Sequence, residues 1–144
     1  MGPATGYEHF EAEGEVRVRA WAPDRARAFA LAACGVFALL VEPDTVADRE
    51  RREVRAQGAT PEALLLNWIT EGLYVQEIEG FAVRRVEVTT CSDTLVHGFL
   101  HGEPLAHERH HAAALPRAPT PRRAAVLEAD GRFEATLVVR IDVS

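Results

Sequence analysis

The sequence contains no lysine; all 16 of its Lys and Arg positions are arginine. Arginine standing in for every lysine reflects compositional bias, not a function. Cysteine is nearly as scarce. Cys34 and Cys91 show no Cys-x-x-Cys spacing, which argues against a disulfide scaffold and leaves two buried or half-buried free thiols as the expectation. No excess of positive charge is present either: the net charge is −6, which argues against strong, direct nucleic-acid binding because phosphate contacts need a basic face. The longest uncharged run, Ala28 to Val41, falls short of the roughly 20 residues a bilayer requires. The opening "MGPATGYEHF" lacks a charged segment followed by an apolar one, so a secretory signal is not expected and a cytoplasmic location is. Catalytic signatures are missing as well: no Gly-x-Ser-x-Gly, no phosphate loop, no Gly-x-Gly-x-x-Gly.

What remains is an ordinary globular composition, 47% hydrophobic and 26% charged over 144 residues. A single domain covering 1–144 is expected, with 1–6 as a flexible N-terminus. "EVRVRAW", Glu15 to Trp21, alternates between apolar Val16, Val18 and Ala20 and charged Glu15, Arg17 and Arg19, the pattern of a half-buried strand. A helix follows, with Asp24 as N-cap and Pro43 as the stop; it is apolar nearly all round and so must be buried on more than one side. The charged segment 44–58 predicts a loop and a short edge strand near Val54 that ends at Gly58, with the run from Asp48 to Glu53 as a solvated face. Thr60-Pro61-Glu62 opens a second helix with a hydroxyl cap, a first-turn proline and an acid, and it runs to Ile78–Gly80.

Strands dominate the remainder. "FAVRRVEVTTC" changes phase between Val83 and Val86, predicting a bulge, and Ser92-Asp93 predicts a turn before the strand "TLVHGFLHG". A hairpin closes the chain, turning at Ala129-Asp130-Gly131-Arg132, with Phe133, Ala135, Leu137, Val139, Ile141 and Val143 inward and Glu134, Thr136, Arg140 and Asp142 outward. Two helices, the first apolar all round, among many strands predict an α+β, three-layer β/α/β sandwich with mostly antiparallel sheets.

Five of the six histidines lie between His97 and His111. On a strand, His97 and His101 sit about 13 Å apart, too far to share one ion bound at about 2 Å. His107 and His111 have the spacing of a helical zinc pair, but the flanking prolines leave little room for a helix and no third ligand stands at a known offset. A solvated loop accounts for them, with a metal-dependent enzyme as the opposing reading.

Carboxylates cluster near both ends. Glu11, Glu13 and Glu15 would share one face of an extended chain, and Asp142 lies on the outward side of the last strand. If the Glu15 strand and the last strand pair antiparallel, Glu15 can approach Asp142 and the terminal carboxylate. Two readings stand here: a solvated acidic surface, as most exposed carboxylates are, and a hard-cation site of clustered oxygens.

From Tyr7 to Val143 the order of segments resembles the archease family. The residues that carry the resemblance are "YEHFEAEGEVRVRAWA", "RAFALAACGVFALLVEPDTV", "PEALLLNWITEGLYVQEIEGFAVRRVEV", the Gly-Glu-Pro loop of "HGEPLAHERH", "RAPT" and "VVRIDV". It implies an accessory protein, not an enzyme, which promotes guanylylation and turnover of an RtcB-type RNA ligase in tRNA splicing and RNA repair. It also implies a divalent cation, Ca²⁺ foremost and Mg²⁺ second, held at Glu15, Asp142 and Val143. Three departures mark this chain: Ala12-Glu13-Gly14-Glu15 stands where the family has His-Thr-Ala-Asp, Ser144 extends the end, and Arg117 replaces a lysine. The alternative is a binding or scaffold module of the same fold without cation or ligase activation.

Overall fold

A computed structural model describes residues 5–12, 14–106 and 120–140. Strands β1 (Gly6–Ala12) and β2 (Glu15–Ala22) precede helix α1 (Arg25–Phe37), then come β3 (Glu50–Gln57), α2 (Pro61–Ile78), β4 (Phe81–Cys91), β5 (Leu95–Pro104), β6 (Thr120–Ala129) and β7 (Arg132–Arg140). They form two antiparallel sheets, one ordered β1-β2-β7-β6 and the other β3-β5-β4. Helix α1 packs on β2, β1 and β7 of the first sheet and on β4 of the second, while α2 bridges β6 to β3, β4 and β5. The helices therefore form the middle layer of the expected β/α/β sandwich.

This middle position explains the sequence of α1. Ala28, Phe29, Ala32, Ala33, Val36 and Phe37 are all buried, because sheets cover the helix on opposite sides. Asp24 caps it as expected, its carboxylate accepting from Arg27 N–H at 2.8 Å. Gly35 is the point of closest approach: a Cβ there would lie 2.6 Å from Val18 Cγ1 and 3.2 Å from Tyr7. The helix stops at Phe37, before Pro43, and Leu39, Leu40 and Val41 continue into the core as a turn. Thr60 Oγ1 caps α2 by accepting from Ala63 N–H at 3.1 Å, and Trp68 ties the two helices together, its indole N–H donating 3.2 Å to the Phe29 carbonyl.

The bulge expected in β4 lies between Val83 and Arg85, and a second one lies between Val88 and Thr90. The last hairpin turns at Asp130 (φ 54°) and Gly131 (φ 71°), the two left-handed residues of a type I′ turn. Ala135, Leu137 and Val139 face inward as read from sequence; Ile141 and Val143 lie outside the described residues.

Four expectations are corrected. Strand β1 begins at Gly6, inside the stretch expected to be flexible, because it pairs with β2 along its whole length. The chain reverses at Gly14 (φ 83°), so Glu11 is not on the face of Glu15: it opposes core-facing Val16. The strand expected near Val54 begins earlier, at Glu50, where pairing with Gly102 of β5 starts, and the charged run is its solvated face. The Gly-Glu-Pro loop is strand, since Glu103 and Pro104 pair with Ala82 and Phe81.

Candidate functional site

Alternation in β2 sends Glu15, Arg17, Arg19 and Trp21 to the outer face of the four-stranded sheet, opposite the helices. The expected antiparallel pairing of β2 with β7 is present, and its register sets Glu15 across from Arg140. One row further along, Phe10, Arg17, Val138 and Arg123 cross all four strands side by side. The Glu15 carboxylate is about half exposed and reaches Arg123, with Oε1 to Nη2 at 3.8 Å. A hollow of about 240 Å³ opens here, lined by Phe10, Glu15, Arg17, Arg123 and Val138.

Arg123 arrives through a bulge in β6: Pro121 opposes Val139 and Arg123 opposes Val138, leaving Arg122 as the extra residue. The outward arginines of β2 are visible in the alternation of "EVRVRAW", but Arg123 and Arg140 come beside Glu15 only through register. Sequence reasoning placed acids at this end and missed the guanidiniums.

At the other end of the same face, Arg19 is held between Glu8 and Glu134, and Arg132 also donates to Glu134 at 3.0 Å. The hydrogen bond from Arg19 holds the Glu134 carboxyl below the usual carboxylate range. Both guanidiniums lie over the Trp21 ring, at 5.4 and 5.5 Å from its centre.

The two described histidines of the cluster take separate partners on the outer face of the three-stranded sheet. His97 Nε2 lies 2.6 Å from Glu53 Oε2 and its Nδ1 3.1 Å from Thr89 Oγ1. His101 Nε2 lies 2.9 Å from Glu87, and its Nδ1 is 3.3 Å from Arg85 Nη2. A guanidinium only donates, so this Nδ1 accepts and Nε2–H donates to Glu87. Phe99 sits between the two imidazoles, with Arg51 stacked over it at 4.4 Å. Among the described residues no group of three or more His, Cys, Asp or Glu is placed to hold a metal. His107, His110 and His111 lie outside the described residues, as does Arg117. Glu103 is buried, and its carboxylate accepts from Ala47 N–H at 2.8 Å, pinning the segment before β3 to β5. Cys34 and Cys91 are free thiols, and burial pushes each up to about 11.

Residues 7–143 match the Archease protein family (MTH1598/TM1083). The chain belongs to the archease family. Protein archease of Pyrococcus abyssi is 30% identical over 136 residues, covering 92% of this chain and 96% of the relative. Protein archease of Methanopyrus kandleri is 29% identical over 136 residues, with 92% and 97% covered. The solution structure of Methanobacterium thermoautotrophicum protein 1598 superposes with a TM-score of 0.71, covering 94% of this chain and 99% of that one at 19% identity, a likeness of fold.

Of the three archease cation positions inferred from the resemblance, Glu15 is described, while Asp142 and Val143 lie outside the described residues. Glu15 is an oxygen donor on open surface, and its ion pair with Arg123 is long and solvent-screened. Among the described residues no helix is long and apolar enough to cross a membrane.

Proposed function

We infer that this archease-family chain is an accessory protein of an RNA ligase of the tRNA-splicing type, raising guanylylation and repeated turnover without being an enzyme itself. The observation that carries this reading is the family match across residues 7–143. Glu15, Asp142 and Val143 would hold a divalent cation, Ca²⁺ before Mg²⁺, because hard oxygen donors without sulfur or imidazole select such ions. A bound cation would supply positive charge at the Glu15 end of β2. The residues of the chain would orient it and keep it there.

One observation favours the second reading, a binding module of this fold without a cation. Glu15 faces Arg140 and pairs with Arg123, so its charge is already partly balanced. Calcium titration of the isolated chain separates the two. The accessory role itself is tested by multiple-turnover ligation by the ligase of the same organism, with and without the chain. A rise from one turnover to many supports the reading, and an unchanged yield per ligase contradicts it.

A further inference from the structure

Among the described residues, the outer face of the β1-β2-β7-β6 sheet carries more positive charge than the acidic chain would suggest, and the surplus lies at one end. Arg19 and Arg132 are occupied by Glu8 and Glu134. Around Glu15 the balance differs. Arg17 and Arg140 are exposed and have no ion-pair partner among the described residues, while the Arg123 side chain is 72% exposed and holds only its 3.8 Å contact with Glu15. Three guanidiniums thus surround one carboxylate. Arg17 and Arg123 stand two strands apart on one row, roughly 10 Å, with Arg140 one row away between them.

Phe10 closes that row. It is 52% exposed, next to Arg17, on the rim of the 240 Å³ hollow. An aromatic ring open to solvent beside exposed guanidiniums offers two complementary contacts: a flat apolar surface for a base, and forked donors for phosphate oxygens. No described element packs on this face, and the spread of the arginines over three strands exceeds a single phosphate group.

We propose that Phe10, Arg17, Arg123 and Arg140 form a contact surface for single-stranded RNA, with one base stacked on Phe10 and the backbone phosphates over the three arginines. The proposal stands apart from ligase stimulation and rests on that reading only in choosing RNA over DNA. The net charge of −6 over the whole chain limits the strength of the contact, so the affinity falls in the non-specific range of about 10⁻⁴–10⁻⁶ M. Glu15 opposes the phosphates at the same spot. Its neutralisation strengthens RNA binding, while in the ligase reading it removes a cation donor.

The test is fluorescence anisotropy of a labelled oligouridylate of roughly 10 nucleotides, a length within the site sizes of small single-strand binders. It uses the full chain in chelator, without ligase, so that its failure leaves the ligase reading standing and the reverse also holds. Three phosphate contacts predict a log–log salt slope of about −2 for a single strand, and Arg17→Ala or Arg123→Ala each reduces it by about 0.7. Phe10→Ala weakens binding about fivefold or more without changing the slope. Glu15→Gln tightens binding, and Arg55→Ala on the opposite sheet leaves it unchanged. No binding at low salt, or binding indifferent to Arg17→Ala and Arg123→Ala, overturns the proposal. So does a duplex that binds as tightly as the single strand, since its bases are stacked on one another and closed to the ring.

Discussion

Glu15 of β2 stands directly across from Arg140 of β7, yet its carboxylate pairs with Arg123 of β6, at 3.8 Å. The acid proposed as a cation donor thus lies beside positive charge, and the two uses compete. Calcium affinity should rise in Arg123→Ala, by up to about fivefold given the small worth of an exposed pair. It should be lost in Glu15→Gln. Isothermal titration with CaCl₂ measures both, and unchanged affinity in Arg123→Ala would show that the pair does not restrain Glu15.

The Arg19 ladder at the opposite end of that face gives a pH signature. Arg19 and Arg132 hold Glu134 below its ordinary range, so its contribution to stability is complete above about pH 4.3, where the unfolded carboxyl ionises. That contribution disappears as the pH falls through the lower folded value. Urea unfolding from pH 7 down to about pH 3 should show wild type losing stability more steeply than Glu134→Gln, and parallel curves would contradict this.

Packing of α1 against the first sheet depends on Gly35. A methyl at that position meets Val18 at 2.6 Å and Tyr7 at 3.2 Å, both on strands paired along their length. Gly35→Ala should cost about 1–3 kcal/mol by overpacking, despite the better helix propensity of alanine. A thermal melt that is unchanged or raised would mean that β1 and β2 give way more readily than the contact implies.

Both thiols, raised to about 11 by burial, should be sluggish nucleophiles. At pH 8 alkylation of Cys34 and Cys91 in the folded protein should run about a hundredfold slower than in the unfolded chain, following the thiolate fraction. Mass-resolved labelling assigns each rate, and fast labelling of either residue would place it in an open environment.

How much of this was legible beforehand follows from locality. Asp24, Thr60-Pro61 and Asp130-Gly131 act on their own neighbours, so the helix starts and the last turn stood in the sequence. Strand β1 did not, because as an edge strand it mixes Tyr7, which packs on the core, with His9, whose ring N–H reaches the Gly35 carbonyl at 2.7 Å, and exposed Phe10. The turn at Gly14 went unread for the same reason, and with it the separation of Glu11 from Glu15. His97 and His101 were rightly set apart by strand spacing, but their partners Glu53, Thr89, Glu87 and Arg85 sit on β3 and β4 and are fixed by register. The arginines beside Glu15 depend on pairing and on one bulge, information that no local pattern carries.

The proposed accessory role and the cation proposed at Glu15 and Asp142 meet in one reaction, the guanylylation of an RNA ligase. The most direct measurement is the rate of guanylylation of the ligase from the same organism, with GTP and divalent cation, in the presence of wild-type chain or of Glu15→Gln/Asp142→Asn. The account predicts marked acceleration by wild type and little or none by the double variant, with circular dichroism showing both folded. Equal acceleration by the two would contradict it.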